Sequence, residues 1–156
     1  MKNKVKIYQS KIKNVNFGKN VTLVKPLNIY DCKIGDDTFI GPFVEIQKNV
    51  LIGKNCKIQS HSFICEKVII GDNVFISHGV MFINDKFKSG KTAQGDKKKW
   101  METKIGNNVI IGSNASILPV SICDHAIIGA GSVVTKNITK PGKYIGNPCK
   151  LLKEKK

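Results

Sequence analysis

The chain has 156 residues, 41% of them apolar and 24% charged, a globular composition sized for one domain spanning 1–156. Its formal net charge is +15 and every basic residue is lysine, which favours anionic partners such as nucleotides and phosphates, against the plain alternative of a solvated lysine surface. Five cysteines without a Cys-x-x-Cys spacing argue against a disulfide framework or a zinc knuckle. The lack of any apolar run long enough to cross a bilayer argues against membrane insertion, and the N-terminus lacks the apolar stretch of a signal peptide. Reduced thiols then point to the cytoplasm.

Residues 1–14 are polar and are expected to lie over the first coil of whatever follows. From Phe17 the chain falls into sixes: Phe17, Leu23 and Ile29, a five-residue step to Ile34, then Ile40, Ile46, Ile52, Ile58, Ile64, Ile70, Ile76 and Phe82. Four places after most openers stands a small or β-branched residue: Val21, Thr38, Val44, Val50, Cys56, Ser62, Val68, Val74 and Val80. A helix needs apolar spacings of three and four, and a flat strand needs strict alternation. A period of six fits a chain that runs a short strand, turns a corner and repeats, which is the hexapeptide β-helix pattern. The predicted fold is all-β, a left-handed parallel β-helix in the form of a triangular prism.

Three hexads make one coil, so the openers sort into three columns. The first is Phe17, Ile34, Ile52, Ile70, Ile105, Ile122; the second Leu23, Ile40, Ile58, Ile76, Ile111, Ile128; the third Ile29, Ile46, Ile64, Phe82, Ile117, Val134. Each column should stack at about 4.8 Å. Glycine follows most first-face openers and half of the second-face ones, where positive φ is expected at the turn. It never follows a third-face opener, and both five-residue steps occur at that third corner. So does an interruption, the loop 84–104, which is long for a compact domain. Residues 143–156 are expected to leave the prism as a short tail or helix.

The third corner therefore draws the functional reading. Glu66 and Asn84 each stand two residues after a third-face opener, eighteen apart, and should lie on adjacent coils. A carboxylate beside a carboxamide can bind an amine and a hydroxyl; the alternative is a surface pair. His78, two after Ile76, sits on the preceding corner. In a threefold assembly it would approach Asn84 and Asp85 of a neighbour, as a general base near neutral pH; the alternative is an exposed corner histidine. His61 and His125, three after their openers, read as surface residues. No short-range histidine pairing suggests a metal. In the loop, Trp100 beside Lys97–Lys99 can stack a base or sugar, or anchor the loop.

Several stretches carry a resemblance that covers nearly the whole chain: Ile76-Ser-His-Gly-Val-Met-Phe-Ile-Asn-Asp85, Thr103–Pro119, Ile127–Lys136 and Gly146-Asn-Pro-Cys-Lys150. The chain resembles the left-handed β-helix hexapeptide acyltransferases, and among them the bacterial nucleotide-sugar N-acetyltransferases acting on 3-amino-dideoxy sugars. The resemblance implies a homotrimer with active sites between subunits, acetyl-CoA as donor and no metal. It implies a dTDP-3-amino-3,6-dideoxyhexose as acceptor, serving surface glycan biosynthesis. It assigns coenzyme A contacts to Gly112, Gly129, Ala130, Gly131, Lys136, Pro148 and Lys150. It implies that Asn84 meets the sugar amine; the reading of the corners adds His78 and Glu66 as its catalytic companions, and Asp85, Lys86 and Trp100 are the expected substrate contacts. Cys149 replaces the family's usual alanine between Pro148 and Lys150. O-acetylation of a sugar hydroxyl is the alternative reaction. A nucleic-acid or scaffold module is the non-enzymatic one, disfavoured because aromatics are not interleaved among the lysines.

Overall fold

In the computed structural model residues 9–87 and 90–153 are described. Short strands, most of two or three residues ending on an apolar opener, pair in parallel, apart from a C-terminal hairpin, into three sheets of seven, six and eight strands. Each sheet is one of the expected columns. Phe17, Ile34, Ile52, Ile70, Ile105 and Ile122 are register partners in succession. Leu23, Ile40, Ile58, Ile76, Ile111 and Ile128 form the second face. Ile29, Ile46 and Ile64 lead to Phe82, Ile117 and Val134 on the third. The chain is a left-handed parallel β-helix of about seven coils.

The openers are the core. Ile29, Ile40, Ile46, Ile58, Ile64, Ile76, Ile111 and Ile117 are wholly buried, and full burial of such a side chain is worth roughly 1.5–3 kcal/mol. The second inward residue of each side fills the space behind. Two of the polar ones have partners: Thr38 Oγ1 donates to the Gly53 carbonyl at 3.1 Å, and Ser62 Oγ to that of Ser77 at 3.0 Å; the buried Thr103 hydroxyl, level with Val68, has none among the described residues.

Two expectations are corrected at the corners and at the tail. Positive φ does not fall on the glycine after the opener. It falls three places after the opener, on Asn20, Asp37, Phe43, Asn49, Asn55, His61, Lys67, Asn73, Asn108, Asn114 and His125. Asparagine is favoured there because it tolerates the left-handed region, and here its carboxamide also bonds along the prism, as from Asn55 Nδ2 to Asn73 Oδ1 at 2.8 Å. The glycine after the opener is needed for close approach instead: a Cβ on Gly35 would lie 2.6 Å from the carbonyl carbon and oxygen of Gly53.

The end of the chain is neither a loose tail nor a helix among the described residues. Gly142–Gly146 adds in parallel to the second face, with Ile128 opposite Tyr144, and Cys149–Leu151 folds back antiparallel to it. At the other end Ile12–Lys13 pairs with Ile29 and Tyr30 as a first strand of the third face. The expectation for residues 1–8 lies outside the described residues.

Candidate active site

The three corners are chemically different. On the first, the residue two after the opener is often Asx, and its side chain accepts the equivalent backbone N–H of the preceding coil. Asp36 takes Lys19, Asp72 takes Lys54, Asn107 takes Asp72 and Asp124 takes Asn107, all at 2.7–2.8 Å. The hydrogen bonds from Asn107 hold the Asp124 carboxyl below its ordinary pKa.

On the second corner the equivalent residues are Ser60, His78, Ser113 and Ala130. None brings a carboxylate or carboxamide, and the N–H groups of these four make no hydrogen bond within the chain among the described residues. Gly112, Gly129 and Gly131 share this corner. Gly131 has φ +67° and open space where a Cβ would stand, whereas a Cβ on Gly112 would strike the backbone of Ala130. His78 is exposed, and its Nδ1 lies 2.9 Å from Ser60 Oγ one coil below. Ser77 and Ser113 bond through their hydroxyls at 2.7 Å.

The third corner brings Glu66 and Asn84 together, as the spacing predicts: Asn84 Nδ2 donates to the Glu66 carbonyl at 3.3 Å. The Glu66 side chain, however, belongs to the loop. Lys97 Nζ lies 2.7 and 2.8 Å from its two carboxylate oxygens, and the carboxylate is nearly buried. Lys67 Nζ donates to the carbonyls of Lys97 and Trp100 at 2.8 Å each, and Met101 N–H donates to Asn84 O at 2.8 Å. The loop is thus fastened over the corner at both of its ends.

Trp100 is an anchor in this arrangement, with the Lys97 ammonium 5.4 Å from its ring centre. The carboxylate oxygens of Asp85 accept Phe87 N–H and Ala93 N–H, both at 2.8 Å, and so shape the loop from within; Lys86 beside it is half-buried. His61 and His125 are exposed corner residues with positive φ, and His61 stacks on Phe43 at 4.8 Å. Among the described residues no three His, Cys, Asp or Glu side chains are grouped to hold a metal ion.

His78 and Asn84 stand on different corners of one coil, one prism side apart. Lys136 lies two coils above Asn84 on the third corner, not with Gly129–Gly131 on the second. Pro148, after a cis bond, and the exposed Lys150 sit at the hairpin on the second face. The proposed residues therefore divide between two corners. Lys67 and Ser60 were not anticipated, nor was the pairing of Lys97 with Glu66. The absence of Asx from the second corner was visible in the sequence, but the reach of Lys97 back across 31 residues was not.

Residues 31–66 match the family described as bacterial transferase hexapeptide (six repeats), and residues 102–136 match the hexapeptide repeat of succinyl-transferase. The repeats on either side of the loop 84–104 are thus similar to bacterial hexapeptide-repeat transferases. Over its length the chain is similar to the bifunctional protein GlmU of Clostridium botulinum (strain ATCC 19397 / Type A), 33% identical over 154 residues. That match covers 93% of this chain and 33% of GlmU, so the chain spans about a third of the curated relative. Among solved structures it is similar to a single-site mutant of AntD, an N-acyltransferase from Bacillus cereus, in complex with dTDP and coenzyme A. The identity is 25% and the TM-score 0.78, covering 90% of this chain and 84% of AntD. A second AntD complex, holding dTDP-4-amino-4,6-dideoxyglucose and coenzyme A, is 23% identical with a TM-score of 0.75, covering 92% and 84%, and speaks for the fold.

Proposed function

We propose that this protein transfers an acetyl group from acetyl-CoA to the amino group of a dTDP-linked amino-dideoxy sugar, as a cytoplasmic homotrimer whose active sites lie between subunits. The observation that carries the reading is the column of unpaired N–H groups on the second corner, from Ser60 and His78 up to Ser113 and Ala130. Backbone donors one coil apart suit the amides of a pantetheine arm and the oxyanion of a thioester under attack. The likeness to AntD, whose complex holds both dTDP and coenzyme A, supports the same pair of ligands.

The outer faces support the assembly. Phe39, Phe75, Ile110 and Ile127 face outward on the second side and Phe63, Met81 and Val133 on the third, with Met81 and Ile110 more than 40% exposed. The first side is more polar, presenting Asn16, Lys33, Lys104 and Ser121 beside Leu51 and Ile69. Two apolar sides flanking the second corner are what a closed symmetric assembly buries. In that assembly one subunit's second corner, with His78, faces a neighbour's third corner, with Asn84.

The chemistry follows from these positions. Gly112, Gly129, Ala130 and Gly131 let the donor lie close along the corner, with Lys136, Pro148 and Lys150 toward its adenine and 3′-phosphate. Asn84 orients the sugar amine, and Asp85 and Lys86 frame the entrance beside the loop. The amine lone pair attacks the thioester carbonyl carbon, and the carbonyl π electrons move to oxygen, giving an oxyanion to which the N–H groups donate hydrogen bonds. His78 takes the amine proton. Collapse re-forms the carbonyl and breaks the C–S bond, and the thiolate leaves to be protonated. Because a free amine is already nucleophilic, positioning carries much of the rate. The acylated sugar is then a building block for a surface glycan, such as that of a lipopolysaccharide O-antigen.

The test is thiol release from acetyl-CoA with dTDP- and UDP-linked 3-amino and 4-amino sugars and their hydroxy counterparts. Turnover on an amino sugar is expected, with the 3-amino-3,6-dideoxyhexose as the first choice. Turnover only on a hydroxy sugar overturns the reading in favour of O-acetylation.

A further inference from the structure

We infer that a groove at the N-terminal end of the third face receives the base of the acceptor nucleotide, and that it is built for a pyrimidine bearing an N3–H imide. The inference rests on the nucleotide-sugar reading above and assigns the part of the substrate that reading leaves unplaced. The groove, of about 930 Å³, is lined by Lys11, Lys13, Asn28, Tyr30, Asp31 and Glu45 among others.

Its position fits the span of the substrate. Asn28 and Tyr30 stand on the coil of Ile29, Glu45 on the next, Glu66 on the next and Asn84 on the fourth. Three coil steps from Tyr30 to Asn84 make about 14 Å at about 4.8 Å each, a length that an extended nucleoside diphosphate sugar covers. Burial first, and then the charges of Glu45, Glu66 and Asp31, raise the pKa of the Tyr30 hydroxyl.

Its chemistry fits a thymine or uracil edge, which presents acceptor, donor, acceptor at O2, N3–H and O4. The complementary set is donor, acceptor, donor. Asn28 accepts Lys11 N–H through its carboxamide oxygen at 3.3 Å, so its amide N–H groups are its remaining offer, and Lys13 brings an ammonium. The acceptors are carboxylates, each with one oxygen already held in place. Asp31 Oδ1 accepts from Asn14 Nδ2 at 2.9 Å and Glu45 Oε1 from Gln47 Nε2 at 2.9 Å. The half-buried Tyr30 ring supplies a stacking face. Two lysines balanced by two carboxylates suit an uncharged base rather than the diphosphate, which would lie nearer the exposed Lys48. Cytosine, with no hydrogen on N3, sets a lone pair against the carboxylates.

The test is calorimetric titration of the whole protein with dTDP, UDP and CDP, and separately with coenzyme A. The expected result is binding of dTDP and UDP with CDP at least about tenfold weaker, one mispaired hydrogen-bond position costing that much. Tyr30→Ala should weaken dTDP about tenfold or more, within the range for loss of base stacking, and leave coenzyme A binding unchanged. In Asp31→Asn/Glu45→Gln, which keeps the shape of the groove, the preference for dTDP over CDP should vanish. If wild type binds dTDP but both variants bind it equally well with unaltered preference, the groove assignment is overturned and the nucleotide-sugar reading stands. If wild type binds coenzyme A but none of the three nucleotides, both fall together.

Discussion

Ser60 Oγ and His78 Nδ1 are 2.9 Å apart, joined across one coil step of the second corner. If Nδ1–H donates to the serine oxygen, Nε2 keeps its lone pair and faces outward as the base. The contact fixes the ring's orientation, and in that direction it also favours the tautomer the proposed reaction needs. A hydrogen bond of this kind is worth about 1 kcal/mol net, so Ser60→Ala should lower kcat roughly fivefold with KM for the sugar little changed. Nitrogen-15 NMR of the imidazole would show the tautomer ratio shift; an unchanged ratio with unchanged kcat would remove Ser60 from the site.

Asn84 is held from two sides, by the Glu66 carbonyl through its amide and by Met101 N–H through its backbone. In the proposed reaction its remaining amide oxygen is the group offered to the amine. Asn84→Ala should cut turnover by two orders of magnitude or about 3 kcal/mol while the oligomer and its melting temperature persist, as sedimentation and calorimetry would report.

The loop is held by Lys97 on Glu66 and by Lys67 on two carbonyls. Lys97→Ala removes the charge partner of a nearly buried carboxylate but leaves the prism untouched. Limited proteolysis should then cleave within 84–102 several-fold faster, with little change in the unfolding midpoint. Equal cleavage rates would mean that the loop is seated by other contacts.

Gly35 and Gly131 make opposite tests of the corner geometry. Alanine at 35 places a Cβ against the Gly53 backbone, and neither side is free to move; a loss of about 1–3 kcal/mol is expected. Alanine at 131 meets nothing but must hold φ +67°, at about 1–2 kcal/mol. Urea midpoints would rank them, and only the Gly35 variant should disturb pairing between coils, seen as faster amide exchange at 52–54.

Burial raises the pKa of the Cys32 and Cys65 thiols from 9.0 to about 12. The unfolded thiols ionise above about pH 9 while the folded ones keep their protons. The unfolded state then binds fewer protons, and stability falls as pH rises. The contribution is complete below pH 9 and is lost progressively toward pH 12, with a slope of up to about 1.4 kcal/mol per pH unit for each thiol. Cys32→Ser/Cys65→Ser should flatten the alkaline limb of the stability profile.

The prism was legible because a period of six puts two inward residues on every side, and no other regular structure needs that pattern. The columns from Ile34 to Ile122 and from Ile40 to Ile128 followed from counting alone. The corners were half legible. Asp36, Asp72, Asn107 and Asp124 recur at one position, yet that they cap backbone N–H groups, and that Ser60, His78, Ser113 and Ala130 do not, depends on coils being stacked. The terminal hairpin was missed although Gly146-Asn-Pro148 is a turn sequence. The Glu66–Lys97 pair was out of reach, since three consecutive lysines offer no local reason for one of them to turn inward.

The central claim is that each site draws His78 from one subunit and Asn84 from another. The most direct measurement is complementation: purified His78→Ala and Asn84→Ala proteins, each impaired alone, are unfolded together, refolded as a mixture and assayed for thiol release with a dTDP-amino sugar. Random assortment in a closed ring rebuilds an intact pair at about a quarter of the interfaces, so the mixture should regain about that share of wild-type turnover. No recovery in mixtures shown by mass spectrometry to contain mixed oligomers would contradict the shared site.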